Sequence, residues 1–330
     1  MSAPSRCTSR LGPAIERYVT LKQALGRQFA AERWMLGHVD RFLAARDADL
    51  TADTFAAWCL TLQHLTTGTR RRRMQVVRNV CLYRRRQEPT CFVPDDRLFP
   101  PTHHAIRPYL FTDEDIRRLL TAASALRPSL TSPLRRENVR LAIVLLYTTG
   151  LRRGELVSLT VSDYDADQRT LLIRESKFHK SRVVPLSRDA AGEIDRLLEH
   201  RRTQRLPLTP DSHLLWNRSR GGNPYTGAGL HHVLHTLFRS TQIRTEHGRV
   251  PRVHDFRHAF AITALLRWYR AGVDVQAKLP LLATYMGHVS IVSTAYYLQF
   301  VEPLAAAASE RFASHCGALV TTRLAHGDAR

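Results

Sequence analysis

The sequence predicts a mainly α chain with a small β-sheet (α+β), divided into two domains. Three observations predict it. Apolar residues recur at helical spacing through the first hundred residues and again over most of the second half. Two short stretches, "TLLIRE" at 170–175 and "SRVVPL" at 181–186, read as strands, and the basic turn "SKFHK" joins them as a hairpin. Between the halves lies "PTCFVPDDRLFPPTHHAIRPYLF" at 89–111, rich in proline and without periodicity.

Taken in order, helices are expected near 12–24, 29–46, 51–63 and 68–86, which makes 12–90 a helical domain. Thr51 in "LTADTFAAW" is placed to cap the third helix, with an acid in its first turn. The fourth carries eight arginines and no acid between 70 and 86. Such a helix is either solvated on all sides or laid against a phosphate backbone. The second reading makes Arg70, Arg71, Arg72, Arg73 and Arg78 candidate DNA contacts. Pro94, Pro100, Pro101 and Pro108 keep 91–110 extended as a linker. The second domain, 111–316, opens where Thr112 caps a helix with an acidic first turn. "NVRLAIVLLYTTG" is apolar almost all round, so it is a buried helix, and it ends at Gly150. Pro280 should break the helix before "MGH", or start a new one.

Composition narrows the function. Against 29 Asp and Glu stand 49 Lys and Arg, a net charge of +20 that favours a polyanionic partner. Five widely spaced cysteines, Cys7, Cys59, Cys81, Cys91 and Cys316, form no CxxC pair, which argues against a disulfide framework and against a cysteine metal site. The N-terminus lacks the apolar core of a signal peptide, and no apolar run reaches the length of a membrane span. A reducing cytoplasm is the expected compartment.

Four stretches could carry chemistry: "TTGLRRGELVSL" with Arg152, the hairpin turn with Lys177 and Lys180, "VHDFRHAFAITALL" with His254 and Arg257 one helical turn apart, and "YMGHVSIVSTAYYLQF" with His288, Tyr296 and Tyr297. Singly each is an ordinary surface feature. Jointly, and in this order, "GLRRGE" (150–155), "SKFHKSRVVPL" (176–186), "HDFRH" (254–258) and "MGHVSIVSTAYY" (286–297) resemble the boxes of the tyrosine recombinases, also called the phage integrases. The resemblance covers the whole second domain, and the helical first domain resembles the family's core-binding domain in size and character. It implies Arg152 and Arg257 as the arginine pair, Lys177 as the hairpin lysine, His254 and His288 as the two histidines, and Tyr297 as the nucleophile. Tyr296 falls one residue off the family spacing and would point about a hundred degrees away on a helix, so it is expected to pack. Ser176 and Phe178 flank the lysine where the family often has glycine, so the choice of Lys177 over Lys180 rests on its distance to "RVVPL".

These residue types suit metal-free phosphodiester exchange, with no cofactor. A tyrosine phenol, of pKa about 10, forms a covalent phosphotyrosine that conserves bond energy without ATP. Two guanidiniums clamp the non-bridging oxygens as planar forks. A lysine protonates the departing 5′ oxygen, His254 takes the phenolic proton, and His288 hydrogen-bonds the phosphate. The resemblance further implies double-stranded DNA as partner and a homotetramer acting on two DNA sites. It leaves room for companion recombinases and for exchange of the helix in "VEPLAAAASERFASHCGAL" between protomers. Among the rivals, a type IB topoisomerase shares the chemistry but only relaxes supercoils, and the compact core-binding domain and "HDFRH" box favour recombination; a DNA-binding protein without catalysis would not need every reactive position filled. A metal site on His231 and His235 of "HHVLH" has no evident third ligand. No arm-type domain is expected before the core-binding region. That favours an integrase or transposon recombinase of a mobile element over the larger phage integrases, with resolution of chromosome or plasmid dimers as the alternative.

Overall fold

The computed structural model describes residues 7–101, 107–176, 180–218 and 225–287. The chain divides into two compact units, Met1–Ile106 and Arg107–Arg330. In the first, α1 (Gly12–Ala24), α2 (Ala30–Ala44), α3 (Ala52–Leu60) and α4 (Thr67–Arg84) close on one core. Ile15, Leu36, Leu43, Trp58, Leu62, Val77 and Val80 are its centre. Thr51 caps α3: its side chain accepts from the Thr54 amide, and Thr54 accepts from the Thr51 amide in return. The helix stops at Leu60, earlier than the apolar pattern suggests, where the Thr61 hydroxyl donates to the Trp58 carbonyl at 2.7 Å. A threonine hydroxyl that claims a nearby carbonyl offers the backbone an exit from the helix. Arg84 donates to both carboxylate oxygens of Asp49 at 2.7 and 2.8 Å, tying the end of α4 to the chain before α3.

The second unit runs α5 (Asp113–Ser124), α6 (Arg135–Thr149), α7 (Arg153–Ser158), β1 (Tyr164–Asp165), β2 (Thr170–Ser176), β3 (Lys180–Pro185), α8 (Arg188–Thr203), α9 (Gly227–Ser240), α10 (Asp255–Arg270) and α11 (Val275–Met286). Thr112 and Asp115 form the capping box of α5. Helix α6 packs against α5, α8, α9 and α10. Val139, Leu141, Ile143, Leu145 and Leu146 are buried on several of its faces, as an all-round apolar helix must be. The three strands form an antiparallel meander in the order β1-β2-β3. Leu171 stands opposite Val184, and the register shifts between Ile173 and Ser176. Strand β1 has two residues and no pattern of its own to read in the sequence.

One more expectation fails at Pro280, and one fully buried cation, Arg201, stands out. Pro280 does not break its helix, since α11 is continuous from Val275 to Met286. The bond it removes is the one to the carbonyl of Gln276, and both residues are exposed, so water can serve that carbonyl. Arg201 is fully buried without a carboxylate partner among the described residues. It donates to the carbonyls of His213 (2.8 Å) and Pro207 and to the Ser212 hydroxyl (3.0 Å), and burial pushes its guanidinium down to about 10.

Candidate active site at the end of α11

The site is built from the junction of α6 and α7. Gly150 ends α6 with a left-handed φ of +61°, and a Cβ there would lie 2.7 Å from Cδ1 of Phe260 on α10. Only glycine satisfies both the dihedral and the contact. The turn buries Leu151 and leaves Arg152 as the N-cap of α7. The "GLR" of the sequence is therefore a rigid corner that brings an arginine beside α10.

Arg257 lies one turn into α10 and is 2 % exposed. It bridges two helix ends, donating to the Gly150 carbonyl at 2.7 Å and to the Met286 carbonyl at 2.5 Å. Arg152 donates to the next carbonyl, that of Gly287, at 2.8 Å. Arg182 on β3 donates to the preceding one, that of Tyr285, at 2.8 Å. Thus three guanidiniums from three elements each take one of three successive carbonyls at the C-terminus of α11. Those carbonyls have no partner inside the helix and sit at its negative end, where cations are favoured. Gly287 has φ +66°, and a Cβ on it would stand 2.7 Å from Nη1 of Arg182 and 3.4 Å from Nη1 of Arg152.

Glu155 holds two of these arginines. It accepts from the Arg152 backbone amide at 3.0 Å and from Arg152 Nη1 at 2.6 Å, and from Arg182 Nη1 and Nη2 at 3.2 and 2.8 Å. Burial alone would raise its carboxyl, but the Arg182 and Arg152 hydrogen bonds outweigh it and hold the group below the ordinary carboxylate range. Sequence pattern alone gave no part to Arg182 in "RVVPL" or to Glu155 in "GLRRGE". The signal for Arg182 was present: it shares the period-2 face of the buried Val184, an unusual place for a cation.

His254 is the N-cap of α10, in T-shaped contact with His258 at 4.6 Å between ring centroids. Burial of the imidazole lowers its pKa below the ordinary value, and the Arg257 and Arg252 charges lower it further. At neutral pH the ring is uncharged and able to accept a proton. The structure thus brings Arg152 and Arg257 to the end of α11, with His254 close enough to feel both charges. Lys177, His288, Tyr296 and Tyr297 lie outside the described residues.

Of the arginines on α4, Arg71 donates to the carbonyls of Phe99 (3.3 Å) and Pro100 (2.9 Å). Arg78 pairs with Asp96 at 3.1 Å, and Arg72 with Glu32 at 3.0 Å. Arg73 is buried, with its guanidinium 4.9 Å from the ring centre of Trp34. Several thus serve the unit's own packing, whereas Arg72 keeps 60 % of its side chain in solvent. His231 and His235 face each other at 4.3 Å between ring centroids. Among the described residues no group of three or more His, Cys, Asp or Glu side chains could hold a metal. None of the helices there is long and apolar enough to cross a membrane.

Comparison with known proteins gives consistent matches. The family model described as the phage integrase family matches residues 110–302. The Sinorhizobium fredii chain y4rB, described as an integrase/recombinase, is 33% identical over 290 residues, which cover 86% of this chain and 91% of that one. A second chain of that organism, y4rE, described likewise, is 31% identical over 91% of this chain and 95% of its own length. The tyrosine recombinase XerA of Thermococcus kodakarensis is 31% identical over 61% of this chain and 62% of its own length. Among solved structures, the Tn1549 transposon integrase in complex with transposon right end DNA superposes with a TM-score of 0.62 at 18% identity, covering 91% of this chain and 99% of that one. The XerH recombinase in its post-cleavage complex with difH DNA gives 0.61 at 20% identity, covering 86% and 78%. At these identities the structural likeness speaks for the fold.

Proposed function

Because the chain belongs to the phage integrase family and is a tyrosine-type site-specific recombinase, we propose that Arg152, Arg257 and His254 form the described part of its catalytic centre, completed by Lys177, His288 and Tyr297. One observation carries this reading. Arg152 and Arg257, separated by about a third of the chain, donate to the adjacent carbonyls of Gly287 and Met286. His288 is the next residue, and Tyr297 stands nine residues after it.

In the proposed reaction the two guanidiniums hold the non-bridging oxygens of a scissile phosphate and stabilise the charge that builds on them. The Tyr297 oxygen attacks phosphorus as its proton passes to neutral His254. The bond to the 5′ oxygen breaks, and that oxygen takes a proton from Lys177. The product is a 3′-phosphotyrosyl link and a free 5′ hydroxyl, which attacks the equivalent link on a partner duplex. Exchange between two duplexes requires four protomers, so the working assembly is a homotetramer on two DNA sites. The first unit is the core-binding domain, with exposed Arg72 and the neighbouring Arg70 as its contacts to the DNA backbone.

Among biological roles we favour integration or transposition of a mobile element. The integrase/recombinase relatives align over 86% and 91% of this chain, whereas the Xer relatives named XerA and XerD align over 61% and 60%. The test is covalent trapping. A pool of duplexes with a randomised core, nicked so that the short 5′-hydroxyl fragment diffuses away, is incubated with the protein, and the adducts are recovered and sequenced. The parent and Tyr296→Phe form adducts on a common site, and Tyr297→Phe forms none while still shifting the duplex in a gel. Adducts with Tyr297→Phe, or none with a DNA-bound parent, overturn the proposal.

A further inference from the structure

We infer that Arg182, which none of the sequence motifs singles out, is a positioning residue for strand cleavage, an inference that rests on the recombinase reading above. Its side chain is 10% exposed. All three of its nitrogens are used: Nε on the Tyr285 carbonyl at 2.8 Å, Nη1 and Nη2 on Glu155 at 3.2 and 2.8 Å. Glu155 in turn receives Arg152 through Nη1 at 2.6 Å and through the backbone amide at 3.0 Å. One planar fork therefore joins three pieces of chain. Strand β3 carries it five residues after Lys177, α7 supplies Glu155 and with it Arg152, and the end of α11 leads into His288.

The geometry of the fork is what the arrangement uses. A guanidinium sends donors along its Nε edge and its Nη edge at once, whereas an ammonium is a single point of charge at the end of a flexible stem. A lysine at 182 can neutralise Glu155 or reach the Tyr285 carbonyl, but it cannot span both. Gly287 is part of the same fit, because a side chain there would meet the Arg182 guanidinium at 2.7 Å. If Arg182 leaves, Glu155 draws Arg152 alone, and Tyr285 loses its cap while Met286 keeps Arg257. The two phosphate-binding arginines then lose their common reference point. A displacement of about 1 Å in such a site is enough to cost on the order of a hundredfold in rate.

The experiment uses the full chain with Arg182→Gln and Arg182→Lys, on the nicked duplex recovered from the randomised pool. Single-turnover adduct formation at saturating DNA is expected to fall 10- to 100-fold in both variants. The DNA concentration giving half-maximal binding should stay within threefold of the parent. Hydrogen exchange of the DNA-free proteins supplies a readout that needs no substrate. Amides in the last turn of α11 should exchange at least tenfold faster in both variants, with α5 and α6 unchanged. A rate within threefold of the parent in either variant overturns the assignment. So does slowed cleavage accompanied by equal loss of DNA binding and faster exchange throughout the second unit, which marks a role in folding alone. A parent that forms no adduct defeats the recombinase reading instead, and the exchange data still judge Arg182: unchanged protection at the end of α11 overturns its role there.

Discussion

Replacing Glu155 by glutamine removes one charge and almost no volume, so its effect isolates the electrostatics of the arginine cluster. The carboxylate is 7% exposed and lies between Arg152 (26% exposed) and Arg182 (10%). A glutamine keeps one oxygen for one guanidinium but turns an NH2 group, a donor, toward the other. About one charge-assisted pair is lost, and breaking a buried pair by removing one partner costs roughly 3–5 kcal/mol, because the remaining charge stays behind uncompensated. Partial exposure of Arg152 argues for the lower end, about 3 kcal/mol. For a unit of this size, 1 kcal/mol corresponds to about 2–4 °C in Tm, so a fall of about 6–12 °C is expected by calorimetry at pH 7. The folded carboxyl lies below its ordinary value, so this contribution is complete above about pH 4.3 and is lost as pH falls through the folded pKa. The gap between parent and variant should therefore narrow in acid. The double variant Glu155→Gln/Arg182→Met, which removes the orphaned charge, should recover about 1 kcal/mol or more. A melting point within about 2 °C of the parent, or no recovery in the double variant, would refute the reasoning.

Gly287→Ala forces a left-handed alanine against Arg182 and should cost about 1–2 kcal/mol, with adduct formation slowed more than tenfold; a variant of parental rate and stability contradicts the packing. His254 has a lowered pKa, so cleavage at limiting DNA should rise with pH and level off below about 6.5, the ordinary imidazole value. An inflection above that value, or an unchanged limb in His254→Gln, counts against a neutral acceptor. In the first unit, Asp49→Asn loses the bidentate pair with Arg84 and should lower stability by about 1–3 kcal/mol, read from the urea midpoint. Adduct formation should stay within about twofold when a chelator is added, since the chemistry assigned to these side chains recruits no metal; loss of activity that added metal restores would reverse that.

Much of the architecture was legible because it derives from local pattern. The all-round apolar run of α6 can only be buried, Thr51 and Thr112 stand where caps belong, and the hairpin is dictated by two short strands and a basic turn. Arg152, Arg257 and His254 were singled out by their spacing within ordered motifs, and the structure shows the two arginines meeting at the end of α11. The features that escaped depend on contacts distant in sequence. Arg182 meets Tyr285 across 103 residues, and although strand alternation puts it on the face of Val184, no local rule names its partners. Arg201 is likewise unreadable, because its acceptors are loop carbonyls rather than acids. The basic run on α4 misleads in the opposite direction. It looks like one electrostatic surface, yet Arg71 and Arg78 spend their donors on the chain just beyond the helix.

The three-carbonyl arrangement at the end of α11 limits where the chain can change length. A one-residue insertion or deletion within the last turns of that helix rotates every later residue by about 100° and displaces it by about 1.5 Å along the axis. Tyr285, Met286 and Gly287 would then offer their oxygens to the wrong guanidiniums together. The turn from Ala271 to Asp274, before the helix begins, carries no such constraint. Length variation is therefore expected to collect in that turn, while the count of residues from Pro280 to Gly287 stays constant.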